Sequence, residues 1–189
     1  MDFRNFKPCL LIAMPELTDP NFAKSVVLLS DYEDAGAVGF VLNHETTLTL
    51  NEALSFSTGD LVKPYKSYPL YLGGPVDPQR IWILYQQNAY RKVLGVDLGD
   101  GVAMAEDGQL LIDHKIELLP SEVKVYHGSA GWSAKQLQTE IVQSFWLTTK
   151  VSRELIFETP VDEMWDKAIR DLGVDPKHLQ GGVNSQILN

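Results

Sequence analysis

Two glycine-rich segments offer the clearest potential for binding chemistry. Gly73-Gly74-Pro75 permits positive φ angles and close backbone approach, so its amides can form an anion-binding concavity. Gly128 to Ser133 is predicted to run from a strand into a capped helix, where free amides and the helix dipole favour an anion. We predict that the two segments adjoin and line the main pocket. The candidate ligand-binding residues are Gly73, Gly74, Pro75, Gly128, Ser129, Gly131, Trp132, Ser133 and Lys135.

A purely structural interpretation of the same residues stays open. Both segments also fit tight turns, with Trp132 as a core or staple residue and Lys135 in solvent. A ligand and a tight turn therefore remain alternative explanations of these glycines.

Enzyme motifs in the chain are incomplete. Gly99-Asp100-Gly101 begins like a dinucleotide fingerprint, but Met104 replaces the third glycine and no helical pattern follows. His127-Gly128-Ser129-Ala130-Gly131 resembles a nucleophile elbow, but His127 stands where the tight bend needs a small residue. No catalytic residue is assigned, although a hydrolase using the glycine-rich turns stays an alternative.

Metal and thiol chemistry find little support. The four histidines are widely scattered, and the single cysteine cannot complete a zinc site or an intrachain disulfide. Cys9 has apolar neighbours and is predicted to be a buried, inert thiol. We therefore expect no metal and no cofactor.

Length, composition and charge restrict the class of protein. The chain has 189 residues, of which 44% are hydrophobic and 22% charged, which predicts one globular domain over residues 1–189. A net charge of −9 disfavours direct nucleic-acid binding and attachment to anionic membranes. No apolar run approaches a membrane span, and the run from Cys9 to Met14 is too short for a secretory signal. We expect a cytoplasmic protein.

The elements that must position these segments are mostly short strands. Continuous aliphatic runs, bounded by Pro, Asp and Gly, predict strands covered on both faces. Asp100-Gly101 and Asp107-Gly108 are favourable hairpin turns, and Thr49 to Glu52 has the spacing of a capping box. The predicted strands are Cys9 to Met14, Val26 to Leu29, Ala37 to Leu42, a pair formed by Tyr68 to Leu72 and Ile81 to Tyr85, Val102 to Ala105, and Val123 to His127.

Two amphipathic helices are predicted near the end of the chain. The first covers residues 133–145, with Ser133 capping it and Val142 widening its apolar stripe. The second covers 160–172, with Thr159 as cap and Trp165 in the buried face. The tail from about residue 175 is expected to fray. Many strands followed by two helices predict an α+β fold with the helices packed on the sheet.

Ordered motifs over nearly the whole chain resemble the AlgH/YqgE family of bacterial proteins. The matching segments are Leu11 to Pro15, Asp19 to Phe22, Ser25 to Val27, Gly36 to Gly39, Leu42-Asn43, Gly73 to Val76, Gly128 to Trp132, Gln136-Leu137, Glu140-Ile141, Trp146-Leu147, Phe157, Trp165 and Leu172-Gly173. The chain departs from the family pattern at Ser129, which replaces a tyrosine, and at Lys135, which replaces a glycine.

The resemblance implies a single-domain α+β fold whose bifurcated sheet closes into a pseudo-barrel. It implies no established activity, and some relatives carry a transcriptional-regulator label. We expect a non-catalytic binding or regulatory accessory protein with a small anion or another protein as partner. One alternative is a hydrolase or phosphate-handling enzyme. The other is a transcriptional regulator, but the chain has no basic helix of the kind that reads DNA.

Overall fold

A computed structural model describes residues 6–50, 52, 68–87, 95–106, 119–133 and 135–180 of the chain. These residues form one ten-stranded, largely antiparallel sheet with short helices near the carboxyl end. The strands are β1 (Cys9–Ala13), β2 (Val26–Glu33), β3 (Gly36–Val41), β4 (Glu45–Thr49), β5 (Pro69–Leu72), β6 (Val76–Gln86), β7 (Val96–Gly99), β8 (Val102–Glu106), β9 (Val123–Ser133) and β10 (Trp146–Lys150). The helices are α1 (Gln136–Val142), α2 (Arg153–Phe157), α3 (Met164–Asp171) and α4 (Pro176–Gln180), with a 3-10 turn at Pro120–Glu122.

The sheet curls into a half-barrel. Its hydrogen-bonded path runs β10-β1-β2-β3-β9-β6-β8-β7, so β10 and β7 are the two ends. Leu10 of β1 and Leu98 of β7 nevertheless belong to one hydrophobic cluster, because the curl brings the two ends of the path together. Residues of α2 and α3 pack into the same cluster and cover the concave face.

Both faces of β1 and of the first half of β2 are buried, as their continuous apolar runs predicted. Four consecutive residues of β1, Leu10 to Ala13, have no exposed surface. Leu10 faces the concave cluster, while Leu11 joins a second cluster with Leu137 of α1 and Trp132 of β9. A third cluster lies behind β6, β8 and β9. Alternate residues therefore serve different cores, which leaves few polar positions in these strands.

The strand β9 is the branch point of the bifurcated sheet. Along one edge it pairs with β6 in antiparallel register. Its other edge pairs with β3 at residues 130–133 and with β5, in parallel, at residues 125–127. The predicted pairing of residues 68–72 with 81–85 is therefore wrong, because β9 lies between them. Hydrophobic pattern identifies strands but not their partners.

The predicted α+β class and the pseudo-barrel are confirmed, while details of the helices differ. The first helix is shorter than 133–145, and Val142 is 78% exposed instead of widening the buried stripe. The second begins at Met164 with Glu163 as N-cap, not at Pro160 with Thr159 as cap. Trp165 is buried as predicted.

The carboxyl-terminal region holds two helices that the sequence interpretation missed. Ser152 caps α2, its hydroxyl accepting a hydrogen bond from the Leu155 amide at 3.2 Å. The expected fraying from about residue 175 does not apply to Pro176–Gln180, which form α4. Residues 181–189 lie outside the described residues, so the expected extent of one domain over 1–189 stays a prediction.

Some of the predicted turns and caps lie among the described residues and can be compared with the structure. Asp100 and Gly101 form the β7–β8 turn with φ angles of +49° and +70°, as a tight hairpin requires. Thr49 and Glu52 make the reciprocal capping contacts, since the Glu52 carboxylate accepts from the Thr49 amide at 2.7 Å. Asp107-Gly108 lies outside the described residues.

Candidate functional site

The glycine-rich segments meet where the sheet branches. The Gly73 amide donates to the His127 carbonyl at 2.8 Å, and the Gly73 carbonyl accepts from the Val41 amide at 2.8 Å. Residue 73 is therefore held between β3 and β9 at the fork. The expectation that the two segments lie side by side agrees with this geometry.

Close backbone approach explains the glycines at this fork. A methyl group on Gly73 would collide with the Gly128 carbonyl, and one on Gly74 would collide with the Ser129 carbonyl. Gly128 has a φ of +69°, and a methyl group there would collide with the Gly74 carbonyl. The two segments thus approach each other closely through their backbones, and the carbonyl oxygens of Gly74, Gly128 and Ser129 are among the nearest atoms.

The predicted helix start at Gly128 to Ser133 is wrong, because β9 continues to Ser133. Helix α1 begins at Gln136 after Lys135, which makes no side-chain capping bond. Half of the predicted capping box is formed, since the Gln136 side-chain oxygen accepts from the Ser133 amide at 3.4 Å. Lys135 is exposed at this turn.

Trp132 is a core residue with a defined polar partner. Its indole nitrogen donates to the Glu140 carboxylate at 2.9 Å, and the indole of Trp146 donates to the same oxygen at 2.8 Å. The two indoles are T-shaped at 6.1 Å, and Phe22 packs on both. Of the other candidates, Ser129 is buried, while Pro75 and Gly131 are exposed. Ligand binding by the nine candidate residues stays a prediction.

Three cavities among the described residues are lined by none of the nine candidate residues, and the shared pocket stays a prediction. Those cavities are lined by other side chains. One of them, the seam cavity, lies where the two ends of the curled sheet approach each other and has a volume of about 640 Å³. Its apolar lining consists of Pro8, Leu10, Leu98, Val151, Leu155 and Ala168.

Two lysines and two carboxylates border the seam cavity. Lys7 precedes β1 and Lys150 ends β10. The Asp100 carboxylate accepts from the Arg153 amide at 2.7 Å, which ties the β7–β8 turn to the start of α2. Asp171 binds the Lys167 ammonium at 2.8 Å. Both carboxylates therefore have protein partners, and Lys7 and Lys150 are the cationic side chains that line the cavity.

A second cavity of about 550 Å³, the lysine cleft, contains Lys124. Its walls include Glu45 of β4, Tyr71 of β5, Phe157 of α2, and Thr159 and Val161 between α2 and α3. The Lys124 nitrogen lies 5.0 Å from the centre of the Tyr71 ring. This geometry combines a cation with the face of an aromatic ring.

Burial changes the acid–base chemistry of the lysine cleft. It lowers the pKa of Lys124 to about 8, and the Glu45 carboxylate only partly opposes that shift. Burial also raises the pKa of the Tyr71 hydroxyl, with a smaller contribution from Glu45. A perturbed group in a cleft is a candidate functional residue. Sequence reasoning missed Lys124, although a lysine between two valines in a predicted buried strand was an available signal.

Thiol and metal chemistry are not indicated by the described part of the chain. Burial raises the pKa of the Cys9 thiol to about 11, which agrees with the predicted inert thiol, although Cys9 is half-buried and not fully buried as predicted. Within the described ranges, no group of three or more His, Cys, Asp or Glu side chains is arranged to hold a metal ion. No helix among these residues is long and apolar enough to cross a bilayer.

Known proteins share both the sequence and the fold. The AlgH-like family model matches residues 10–177. A UPF0301 protein from Myxococcus xanthus (strain DK1622) is 35% identical over 181 residues, covering 95% of this chain and 97% of the relative. A UPF0301 protein from Vibrio parahaemolyticus is 34% identical, covering 89% of this chain and 92% of the relative.

Two solved structures match the half-barrel. The solution structure of the AlgH protein from Pseudomonas aeruginosa has a TM-score of 0.74 at 31% identity, covering 94% of both chains. A crystal structure of a Corynebacterium diphtheriae protein, with a TM-score of 0.67 at 22% identity over 90% of both chains, shares the fold. The sequence, the branched sheet and the extent of these matches place the chain in the AlgH-like family of uncharacterised bacterial proteins.

Proposed function

We propose that this protein is a non-catalytic binding protein whose seam cavity takes a small amphipathic carboxylate. The observation that carries the proposal is that one cavity has both an apolar lining and two lysines, Lys7 and Lys150, at its wall. An acidic head group would contact the lysines, and an apolar body would cover Leu98 and Leu155. Such a mostly apolar cavity with a few polar groups is typical of small-molecule sites.

The architecture around the cavity supports a regulatory or accessory role. The cavity joins the edges of the sheet to α2 and α3, so a ligand there contacts elements that are distant in sequence. A cytoplasmic location is part of this proposal, and the single cysteine, which cannot form an intrachain disulfide, is consistent with it. Direct nucleic-acid binding is not part of it, because the net charge is −9.

Calorimetric titration with octanoate, using octanol as the uncharged comparison, tests the proposal. We expect octanoate to bind more tightly than octanol. Lys150→Glu is expected to weaken the affinity for octanoate by about tenfold, or about 1.4 kcal/mol. Lys177→Glu, which changes the same charge at an exposed position on α4, is the control. Equal binding of octanoate and octanol, or an equal loss in both variants, contradicts the proposal.

Amide NMR separates this site from the glycine fork. Octanoate is expected to shift Gly99 and Thr149, which line the seam cavity. Inorganic phosphate in a separate titration tests the fork, where binding would shift Gly128 to Ser133. If octanoate shifts only the amide signals of the fork, the ligand binds at the fork, and the proposed binding in the seam cavity is refuted.

A further inference from the structure

Lys124 occupies a position that strands normally reserve for an apolar side chain. Its neighbours Val123 and Val125 belong to one hydrophobic cluster, while Tyr126 belongs to the concave cluster on the opposite face. Because side chains alternate along a strand, Lys124 lies on the face of β9 that carries Tyr126. The lysine is thus directed to the concave side of the half-barrel, at the cavity bounded by residues 157–162.

Lys124 lines a cavity whose other walls include aromatic and aliphatic side chains. Tyr71 packs against the concave cluster and presents its ring to the Lys124 nitrogen at 5.0 Å. Phe157, the last residue of α2, and Val161, between α2 and α3, provide further apolar wall. The titratable groups lining this cavity are Glu45, Tyr71, Glu158 and Asp162.

We propose that Lys124 is a nucleophile that captures a small, uncharged aromatic aldehyde in the lysine cleft. The cleft volume of about 550 Å³ admits a molecule of this size. Aromatic and aliphatic walls favour an apolar body, and the carboxylates of Glu45, Glu158 and Asp162 disfavour an anionic one. This site is separate from the seam cavity and does not depend on the proposed function.

The reaction is imine formation, which needs no oxidant or reductant. The lone pair of the uncharged Lys124 nitrogen attacks the carbonyl carbon, and the carbonyl π electrons move to oxygen. Proton exchange with water converts the adduct into a carbinolamine, which then loses water to give the imine. Amine plus aldehyde therefore gives imine plus one water. A desolvated lysine in an apolar site is an activated nucleophile for this step.

Reductive labelling of the full chain tests the proposal. The protein is incubated with benzaldehyde and sodium cyanoborohydride at pH 7.5, and N-benzylation is quantified at each lysine by peptide mass spectrometry. We expect Lys124 to react more than tenfold faster than the exposed Lys135 and Lys177, because lowering a lysine pKa from 10.5 to about 8 raises the free-amine fraction at pH 7.5 by roughly two hundredfold. In 6 M urea this preference is expected to disappear.

Defined outcomes would overturn the proposal. Labelling of native Lys124 at or below the rates of Lys135 and Lys177 refutes an accessible nucleophile. A preference that persists unchanged in urea assigns the effect to local sequence and refutes the role of the cleft. Faster labelling by 4-formylbenzoate than by benzaldehyde refutes the assignment of an uncharged ligand.

A charge variant links the reactivity to this cleft. Glu45→Gln removes the carboxylate that favours the protonated amine, so we expect labelling of Lys124 at pH 7 to rise about threefold, equal to half a pKa unit. Glu33→Gln, at the exposed end of β2, is the matched control and is expected to leave the rate unchanged. Equal rates in the two variants would contradict the electrostatic influence of Glu45 on Lys124.

Discussion

The indole nitrogen of Trp165 donates a hydrogen bond to the carbonyl of Ala13 at 2.7 Å, across 152 residues of sequence. Trp165 lies on α3 and Ala13 ends β1, so this bond joins the last part of the core to the first strand. Both residues are buried, with exposures of 3% and 0%. The contact fixes the depth at which α3 packs into the concave face.

Two substitutions of Trp165 are expected to separate the contribution of its packing to the free energy of unfolding from that of its hydrogen bond. Trp165→Ala should lower the free energy of unfolding by about 3–5 kcal/mol, because it leaves a cavity in the core. Trp165→Phe retains most of the apolar contact but leaves the Ala13 carbonyl without this donor, at a cost of about 1–3 kcal/mol. Urea unfolding measures both values. Val142→Ala, at a 78% exposed position, is the control, and a Trp165→Ala effect no larger than the control would contradict this packing.

Gly128→Ala should destabilise the branch of the sheet. The φ of +69° disfavours alanine, and the added methyl group would collide with the Gly74 carbonyl. We expect a loss of about 1–3 kcal/mol from the backbone conformation alone. Gly131→Ala is the matched control on the same strand, since its methyl group would meet only the Val76 side chain at 3.6 Å. Equal melting temperatures for the two variants would contradict the close approach at the fork.

Glu140 is expected to stabilise the tryptophan cluster through its two indole contacts. Glu140→Ala removes the acceptor of Trp132 and Trp146, and we expect a loss of about 1–3 kcal/mol with shifts of both indole NMR signals. Glu140→Gln keeps an acceptor oxygen and should lose less. Gln138→Ala, at an exposed position of α1, serves as the control. An unchanged pair of indole signals in Glu140→Ala would exclude these hydrogen bonds.

The stability of the protein should depend on pH through Lys124. Its folded pKa of about 8 lies below the ordinary value of 10.5, so the unfolded chain binds more protons between these values. The free energy of unfolding therefore rises with pH across this window. Relative to Lys124→Met, the wild type should gain about 2 kcal/mol between pH 7.5 and pH 10. Urea unfolding at several pH values measures the difference, and parallel pH profiles would place the Lys124 amine in solvent.

Sequence-specific DNA binding is not expected from the isolated protein. The net charge is −9, and α1 and α3 together carry only Lys167 and Arg170 as basic residues. Recognition helices need basic side chains to neutralise phosphates. Fluorescence anisotropy at about 150 mM salt should show no submicromolar affinity for a defined duplex. Submicromolar binding that is lost when the duplex sequence is scrambled would overturn this expectation.

The sequence alone determined the burial of individual elements. Continuous apolar runs identified β1, β2 and β3 as strands covered on both faces, and Asp100-Gly101 identified a hairpin turn. The spacing around Trp165 identified the buried face of α3. These features depend on neighbouring residues, so side-chain periodicity and turn preferences were sufficient to predict them.

The tertiary structure decided which elements meet. Periodicity does not identify a strand's partners, so the position of β9 between β5 and β6, and the branch at Gly128, were not predictable from pattern. The start of α2 is also capped by a residue distant in sequence, because the Asp100 carboxylate accepts a hydrogen bond from the Arg153 amide. The environment of Lys124 arises from Tyr71 and from residues 157–161, which only folding brings together. Nonlocal backbone pairing and burial therefore determined both candidate cavities.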